Sequence, residues 1–189
     1  MKKSLYIFVI LSGLLLFLFS YRLDNAVKQV FSDINIPIFN FILSVITNFG
    51  VVIVVMALLP FLMLRSKQKK PAGLLLSTFA LSVILAFFLK MIVLRQRPND
   101  VFLYPIINII NYSFPSMHSM ALFSVLPFLE FYLPKQRMFW ISYATLAAFS
   151  RLYFDFHYLS DVVFGIFAGY LVGSVMLDFY LAKNGQKKS

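Results

Sequence analysis

Long apolar stretches without a single charge are the feature that most limits how this chain can fold. Four of them approach or exceed the ~20 residues that a helix needs to cross a bilayer. A soluble domain of 189 residues has too little interior to bury a sequence that is 61% hydrophobic. Lipid must therefore cover part of the chain, and the sequence predicts an integral membrane protein of the all-α class. The four stretches are Ser4–Tyr21, Ile34–Leu64, Pro71–Leu89 and Val162–Leu177.

Six membrane spans account for the alternation of apolar and polar segments. The second is long, and we expect it to break near the sequence TNFG (Thr47–Gly50). The N-terminal run has the basic start of a signal peptide but no small-residue cleavage site after it, so we expect an uncleaved first helix. No internal repeat or linker is visible, and residues 1–189 are predicted to form a single domain, a six-transmembrane-helix bundle. The predicted spans are about 4–20, 38–64, 72–94, 116–133, 138–155 and 161–181.

The basic residues between the spans set the expected orientation. The positive-inside rule places the more basic set of helix ends in the cytoplasm, which puts both termini there as well. The segment Tyr21–Pro37 then lies outside, either as a helix in the membrane interface or as an ordinary loop. The cytoplasmic set is Lys2, Lys3, Arg65, Lys67, Lys69, Lys70, Lys135, Arg137, Lys183, Lys187 and Lys188. The outer set is Arg22, Lys28, Lys90, Arg95, Arg97 and Arg151.

The net charge of +10 and the absence of cysteine exclude several functions. Because the basic residues fall in short loops rather than along one face, they suit anionic lipid better than nucleic acid, and no nucleic-acid binding is expected. Without cysteine, the chain has no disulfide, no thiolate nucleophile and no cysteine-ligated metal. The expected partners are the lipid bilayer and a lipid within it.

The predicted topology gathers polar residues from several helix ends at the outer face. Lys90 and Arg97 are seven residues apart, so on one helix ended by Pro98 they would share a face. Two cations anchored at the interface are the alternative. His157 and Asp161 are four residues apart, where a carboxylate on the same helix face can orient the imidazole. A purely structural pair is the alternative there.

The fourth predicted span begins with the sequence PSMH. Pro115 suits the first turn of a helix, and the free amides of Ser116, Met117 and His118 would then form an anion site. A simple helix cap beside an interfacial histidine is the alternative.

Taken together, the cations, the helix N-terminus, the two histidines and the carboxylate suit phosphoryl transfer. One histidine would attack the phosphorus, and the other would protonate the leaving oxygen. A magnesium site would need clustered carboxylates, whereas the acids on the outer side are scattered, so we expect neither a metal nor another cofactor. Those acids are Asp24, Asp33, Asp100, Asp155 and Asp161.

Three motifs in this region resemble the signature motifs of the type 2 phosphatidic acid phosphatase superfamily. That superfamily includes lipid phosphate phosphatases, bacterial phosphatidylglycerophosphatases and undecaprenyl diphosphate phosphatases, as well as the soluble vanadium haloperoxidases. The resemblance implies a six-helix membrane enzyme with its site at the outer face. The motifs are K-x6-RP (Lys90, Arg97, Pro98), PS-x-H (Pro115, Ser116, His118) and SR-x5-H-x3-D (Ser150, Arg151, His157, Asp161).

The resemblance also implies a role for each residue. His157 would be the nucleophile that forms a phosphohistidine, Asp161 would orient it, and His118 would be the general acid and then the general base. One position departs from the family, which usually has glycine where Met117 stands. If Met117 is helical its amide still serves the phosphate, whereas a required positive φ would impair activity. The implied phosphate-binding residues are Lys90, Arg97, Ser116, Met117 and Arg151.

The predicted function is therefore hydrolysis of a lipid phosphomonoester or diphosphate at the outer membrane face. Undecaprenyl diphosphate and phosphatidylglycerophosphate are equally good candidates for the substrate, and phosphatidic acid ranks slightly behind. The alternative function is a transporter or flippase that binds a phosphate lipid without hydrolysis. That alternative needs a polar path through the bilayer and often an inverted repeat, and the sequence offers little of the first and none of the second.

Overall fold

Every secondary-structure element in the described part of the chain is helical. The computed structural model describes residues 3–32, 34, 36–65, 69–99 and 111–185. The predicted all-α class is therefore confirmed. The helices in those ranges are α1 (Lys3–Ser32), α2 (Pro37–Ile46), α3 (Phe49–Arg65), α4 (Lys69–Val93), α5 (Met117–Tyr132), α6 (Arg137–Tyr153) and α7 (Leu159–Lys183), and a 3₁₀ turn covers Pro134–Gln136.

Within the described residues, helix length and composition support three or four membrane spans, fewer than the six predicted. Tyr6–Ser32, Ala72–Val93 and Leu159–Lys183 are each long and apolar enough to cross a membrane. The bent pair α2 and α3 gives a fourth span if it is counted as one. The predicted count of six is not confirmed, because α5 and α6 have only 16 and 17 residues. At 1.5 Å per residue these two helices are roughly 25 Å long, which is less than the hydrocarbon core of a bilayer.

The predicted break in the second span is present. α2 ends at Ile46 and α3 begins at Phe49, and the two axes differ by 44°. The side chain of Asn48 accepts a hydrogen bond of 2.8 Å from the amide of Gly50, which satisfies one of the free N–H groups at the start of α3. The break is therefore built by a local cap, and it leaves the polar residues Thr47 and Asn48 inside an otherwise apolar segment.

The first helix is longer than predicted. α1 continues without interruption to Ser32, into the segment Tyr21–Pro37 that the sequence analysis placed either in the membrane interface or in a loop. Its last turns are held by tertiary contacts: Asp24 is buried, and Lys28 Nζ donates a hydrogen bond of 2.6 Å to the carbonyl of Pro98. Contacts with the rest of the protein thus stabilise the last turns of α1, whose mixed polar sequence did not decide between a helix and a loop.

The third predicted span, about 72–94, corresponds to α4, but that helix does not continue as far as Pro98. α4 ends at Val93, and Leu94 adopts a positive φ of 51° while its amide still bonds the carbonyl of Lys90 at 3.0 Å. The expectation that Lys90 and Arg97 share one face of a continuous helix is therefore wrong. Likewise, Pro115 precedes the first turn of α5 instead of occupying it, because α5 begins at Met117.

The closest helix packing is between α5 and α7. Gly165, Gly169 and Gly173 follow one another at intervals of four residues, which aligns them on one face of α7. A Cβ at Gly165 would lie 2.8 Å from the carbonyl oxygen of Ser116, and one at Gly169 would overlap the backbone of Met120. Glycine is required here because the backbones of the two helices touch. This contact fixes the starts of α5 and α7 relative to each other, and the candidate site lies there.

Candidate active site

A cavity of about 410 Å³ lies between the α2–α3 break, the end of α4, the start of α5 and the end of α6. All the predicted site residues line it except Ser116 and Asp161. Residues far apart in the sequence therefore meet around one space, as the sequence analysis expected. The lining residues are Ser44, Thr47, Asn48, Phe49, Lys90, Arg97, Met117, His118, Arg151, Phe154, Phe156 and His157.

His157 is held between a carboxylate and a cation. Its Nδ1 lies 3.6 Å from Oδ2 of Asp161, and its Nε2 lies 3.5 Å from Nη1 of Arg97. The sequence analysis expected the pair on one helix face, but α7 begins at Leu159 and His157 precedes it. The pair is brought together by the capping box of α7, in which Asp161 accepts a hydrogen bond of 2.9 Å from the amide of Tyr158.

The surroundings of His157 favour its neutral form. Only 5% of the residue is exposed. Burial lowers its pKa well below the usual value of 6.5, and the positive charges of Arg97, Lys90 and Arg151 lower that pKa further. A neutral imidazole has a lone pair on one nitrogen, which is the form that a nucleophile requires.

His118 has different neighbours. It is the second residue of α5, and its Nε2 lies 3.2 Å from Nη1 of Arg151. The ring of Phe49 packs edge-on against the imidazole, with 4.8 Å between the ring centroids. Arg151 is itself placed by a hydrogen bond of 3.4 Å to the carbonyl of Thr47, at the α2–α3 break. The break thus helps to position a cation beside the second histidine.

Backbone carbonyls hold the other two cations in place. Lys90 is almost fully buried, and its Nζ donates to the carbonyls of Tyr112 and Ser113, the latter at 3.2 Å. Arg97 donates from Nη1 to the carbonyl of Phe156 at 2.6 Å. Buried and half-buried cations that meet at one cavity create a positive potential there, which favours an anionic ligand.

Ser116 and Met117 lie at the start of α5 but face different surroundings. The hydroxyl of Ser116 accepts hydrogen bonds from the amide and the hydroxyl of Ser119, at 3.4 and 3.0 Å, so it caps α5. The amide of Ser116 donates to the carbonyl of Asp161 at 3.1 Å, which joins the starts of α5 and α7. Met117 lines the cavity as the first residue of the helix, so its backbone is helical, the first of the two cases considered from the sequence.

The sequence analysis gave no role to Arg95 and Asp24, although the structure connects both to the site. Arg95 donates hydrogen bonds of 2.7 Å to Asp161 and to Asp24, and its guanidinium stacks 4.0 Å from the ring centroid of Tyr158. One signal pointed to Asp24: an unpaired acid within a helix that continues an apolar span is costly, so it needs a partner. Nothing in the sequence identified that partner as Arg95.

The wall formed by the α2–α3 break was also missed. Thr47, Asn48 and Phe49 line the cavity from a segment that carries none of the three motifs. The polar residues within this apolar stretch could have indicated it, because a broken helix exposes backbone groups only where they face protein or a cavity.

The family of the chain follows from a comparison with family models. The model of the PAP2 superfamily matches residues 71–184, which include all three motifs. The chain belongs to the PAP2 superfamily. The predicted resemblance is thereby confirmed, and membership supports a phosphoric ester hydrolase that acts on lipid.

The fold of this PAP2 protein is similar to that of a solved relative. The crystal structure of a transmembrane PAP2-type phosphatidylglycerolphosphate phosphatase from Bacillus subtilis matches with a TM-score of 0.73 and 24% sequence identity. The match covers 91% of this chain and 96% of the relative, so it also includes residues that precede the family match. The apolar helices and this transmembrane relative together indicate a membrane protein.

Proposed function

We propose that this PAP2 protein hydrolyses a lipid phosphomonoester or diphosphate at the outer membrane face, through a phosphohistidine at His157. The observation that carries the proposal is the placement of His157, with Nδ1 directed to Asp161 and Nε2 near Arg97 in the cavity. One nitrogen thus faces a carboxylate at 3.6 Å, which would orient the ring during the reaction, and the other would be left for the substrate.

In the first step, Nε2 of His157 attacks the phosphorus, and the bond from phosphorus to the lipid oxygen breaks. His118 gives its proton to that leaving oxygen. In the second step, a water molecule attacks the phosphohistidine, His118 takes the proton from the water, and phosphate leaves with His157 restored. The positions of the two histidines on the same cavity support this division of roles.

The cations would stabilise the negative charge on the transferred phosphoryl group. Lys90, Arg97 and Arg151 would neutralise the phosphate oxygens, together with the amide of Met117 at the start of α5. Ser116 was predicted as a direct ligand of the phosphate. Its bonds to Ser119 support a narrower role in which it caps α5 and holds that amide in place.

The proposed arrangement in the membrane is one domain with six spans and both termini in the cytoplasm. α2 and α3 would form one broken span, and α5 and α6 would be the two short ones. The positions of the basic residues between the helices support this orientation. The Bacillus subtilis relative acts on phosphatidylglycerolphosphate, which makes that lipid the first to test, followed by undecaprenyl diphosphate and then phosphatidic acid.

The test is release of phosphate from vesicles that carry each of the three lipids, measured with and without EDTA. We expect one lipid to be hydrolysed with the highest kcat/KM and EDTA to have no effect. Brief reaction with ³²P-labelled lipid should leave acid-labile, base-stable label on His157. Lipid binding or lipid movement without phosphate release would instead support the transporter or flippase, and label on another residue would refute the nucleophile.

A further inference from the structure

A guanidinium bridge between two buried carboxylates lies behind the candidate site. Arg95 donates from Nη1 to Oδ1 of Asp161 and from Nη2 to Oδ2 of Asp24, each at 2.7 Å. The side chains of Asp24 and Asp161 are 6% and 0% exposed, and that of Arg95 is 20% exposed. The planar guanidinium offers a separate nitrogen to each acid, which a lysine cannot do.

Ser160 completes the bridge at the start of α7. Asp24 accepts hydrogen bonds from the amide of Ser160 at 2.8 Å and from its hydroxyl at 2.6 Å. Arg95 also donates to that hydroxyl at 2.7 Å. A carboxylate of α1 therefore satisfies a free amide in the first turn of α7, where the helix dipole favours negative charge.

The bridge determines which way Asp161 faces. Its Oδ1 is taken by Arg95, so its Oδ2 is left for the amide of Tyr158 and for the ring of His157, at 2.9 and 3.6 Å. If Arg95 were removed, Asp161 would be a buried carboxylate without its charge partner, and it would take up a proton or turn away. His157 would then lose the group that sets its tautomer and its ring orientation.

Neither Arg95 nor Asp24 lines the cavity, in contrast to Lys90, Arg97 and Arg151. We infer that Arg95 and Asp24 are positioning residues that act on the reaction through Asp161 and His157, without touching the phosphate. The inference rests on the proposed function, in which His157 attacks. Asp24 lies outside the matched family region 71–184, so α1 contributes to the site as well as to the membrane anchor.

A double-mutant cycle tests the inference on the full-length protein in lipid vesicles. The variants are Arg95→Gln, Asp161→Asn and the pair together, with ³²P release measured at steady state over a range of lipid concentrations. Arg95→Gln should lower kcat by about 10- to 100-fold, as loss of an orienting partner does in other sites. KM should change little, because Arg95 does not contact the phosphate. In the Asp161→Asn background, Arg95→Gln should change the rate by less than about twofold, since the two residues act in one chain.

Two conservative variants distinguish a positioning role of Arg95 from a role in folding. Arg95→Lys keeps the positive charge but lacks the two separate guanidinium nitrogens. Its kcat should therefore fall between those of the wild type and Arg95→Gln. Asp24→Asn should lower kcat by a smaller factor than Arg95→Gln. If Arg95→Gln does not fold, Asp24→Asn takes its place in the double-mutant cycle with Asp161→Asn. Arg22→Gln is the control, because Arg22 is an exposed arginine on α1, the helix that carries Asp24, and the activity of this variant should equal that of the wild type.

The outcomes that overturn the inference differ from those that overturn the proposed function. A raised KM with unchanged kcat in Arg95→Gln would mean direct phosphate binding. An equal loss from Arg95→Gln with and without Asp161→Asn would mean an independent structural role. Full activity in Arg95→Gln, with Asp161→Asn and His157→Ala inactive, would defeat the inference alone, whereas full activity in His157→Ala would defeat the proposed function.

Discussion

The two histidines on the cavity each lie beside an arginine, but only His157 also lies beside a carboxylate. His157 lies beside Asp161, which is joined through Arg95 to a second carboxylate, Asp24. His118 lies beside Arg151 and the ring of Phe49. One imidazole is backed by a charged chain that extends to another helix, and the other is backed by a cation and an aromatic ring.

This difference matters because a carboxylate and a cation act oppositely on an imidazole. A carboxylate at Nδ1 fixes the tautomer and stabilises positive charge that develops on the ring during attack. A neighbouring cation makes a protonated imidazole a stronger acid, so that the ring gives up its proton more readily once it carries one. Under the proposed mechanism the two identical side chains carry out different steps, and the predictions below test this difference and the helix packing beside it.

The largest expected effect is that of His157→Ala. Removing the nucleophile should lower the rate of phosphate release by about 10⁴- to 10⁶-fold, because no other group takes over the covalent step. The loss should be the same for every phosphate ester, whatever its leaving group. Purified variants in vesicles, checked for wild-type thermal unfolding, provide the measurement. A variant that still hydrolyses lipid at more than a tenth of the wild-type rate would show that His157 does not attack.

His118→Ala should have a smaller effect that depends on the leaving group. Loss of a general acid costs about 10²- to 10⁴-fold for a lipid alcohol, which leaves poorly without a proton. p-Nitrophenyl phosphate needs little help from an acid, so formation of the phosphohistidine from it should be nearly normal. The burst of p-nitrophenol reports that step. An equal loss of the burst in His118→Ala and His157→Ala would remove the distinction between the two residues.

Gly169→Ala tests the contact between α5 and α7, which holds the starts of these two helices together beside the site. The added Cβ would overlap the backbone of Met120 on α5, so the helices must separate, and the free energy of unfolding should fall by about 1–3 kcal/mol. Gly73→Ala is the matched control, because a Cβ there would meet no atom within 4 Å apart from the adjacent backbone of its own helix, and alanine favours helix. Thermal unfolding in detergent measures both. Equal stabilities of the two variants would mean that α5 and α7 are not in backbone contact.

The smallest expected effect is the difference in the pKa of His157 between the folded and the unfolded protein. Burial and the nearby cations lower its pKa below 6.5, so the folded protein binds this proton less readily than the unfolded chain. The neutral form should persist as the pH falls through 6.5, and stability should decrease over the same range because the unfolded state takes up the proton first. The chain has two histidines, so a ¹³C-labelled histidine spectrum contains two ring signals. His118→Ala assigns them, and a pKa of 6.5 or above for His157 would contradict the prediction.

Much of the fold and the motif residues could be read from the sequence. The apolar stretches predicted an all-α membrane protein because only helices satisfy the backbone of such segments in lipid. The break near Thr47 was visible as polar residues within an apolar run. The three motifs predicted that Lys90, His118 and His157 meet, because the identity and spacing of ionisable residues carry the chemistry directly.

Other features could not be read from local sequence. The end of α4 at Val93 depends on the positive φ of Leu94, and no turn residue announces it. The continuation of α1 depends on contacts of Asp24 and Lys28 with distant segments. The shortness of α5 and α6 left the six-span count unconfirmed, because an apolar run does not state where its helix begins and ends.

The sequence by itself determined the membrane character, the helical class and the residues that can perform phosphoryl transfer, since these follow from hydrophobicity and from side-chain chemistry. Only the tertiary structure decided what supports those residues. Arg95 is 71 residues from Asp24 and 66 residues from Asp161, and no local pattern relates them. Their bridge exists because close packing buries two carboxylates near each other, and buried charges require a shared partner.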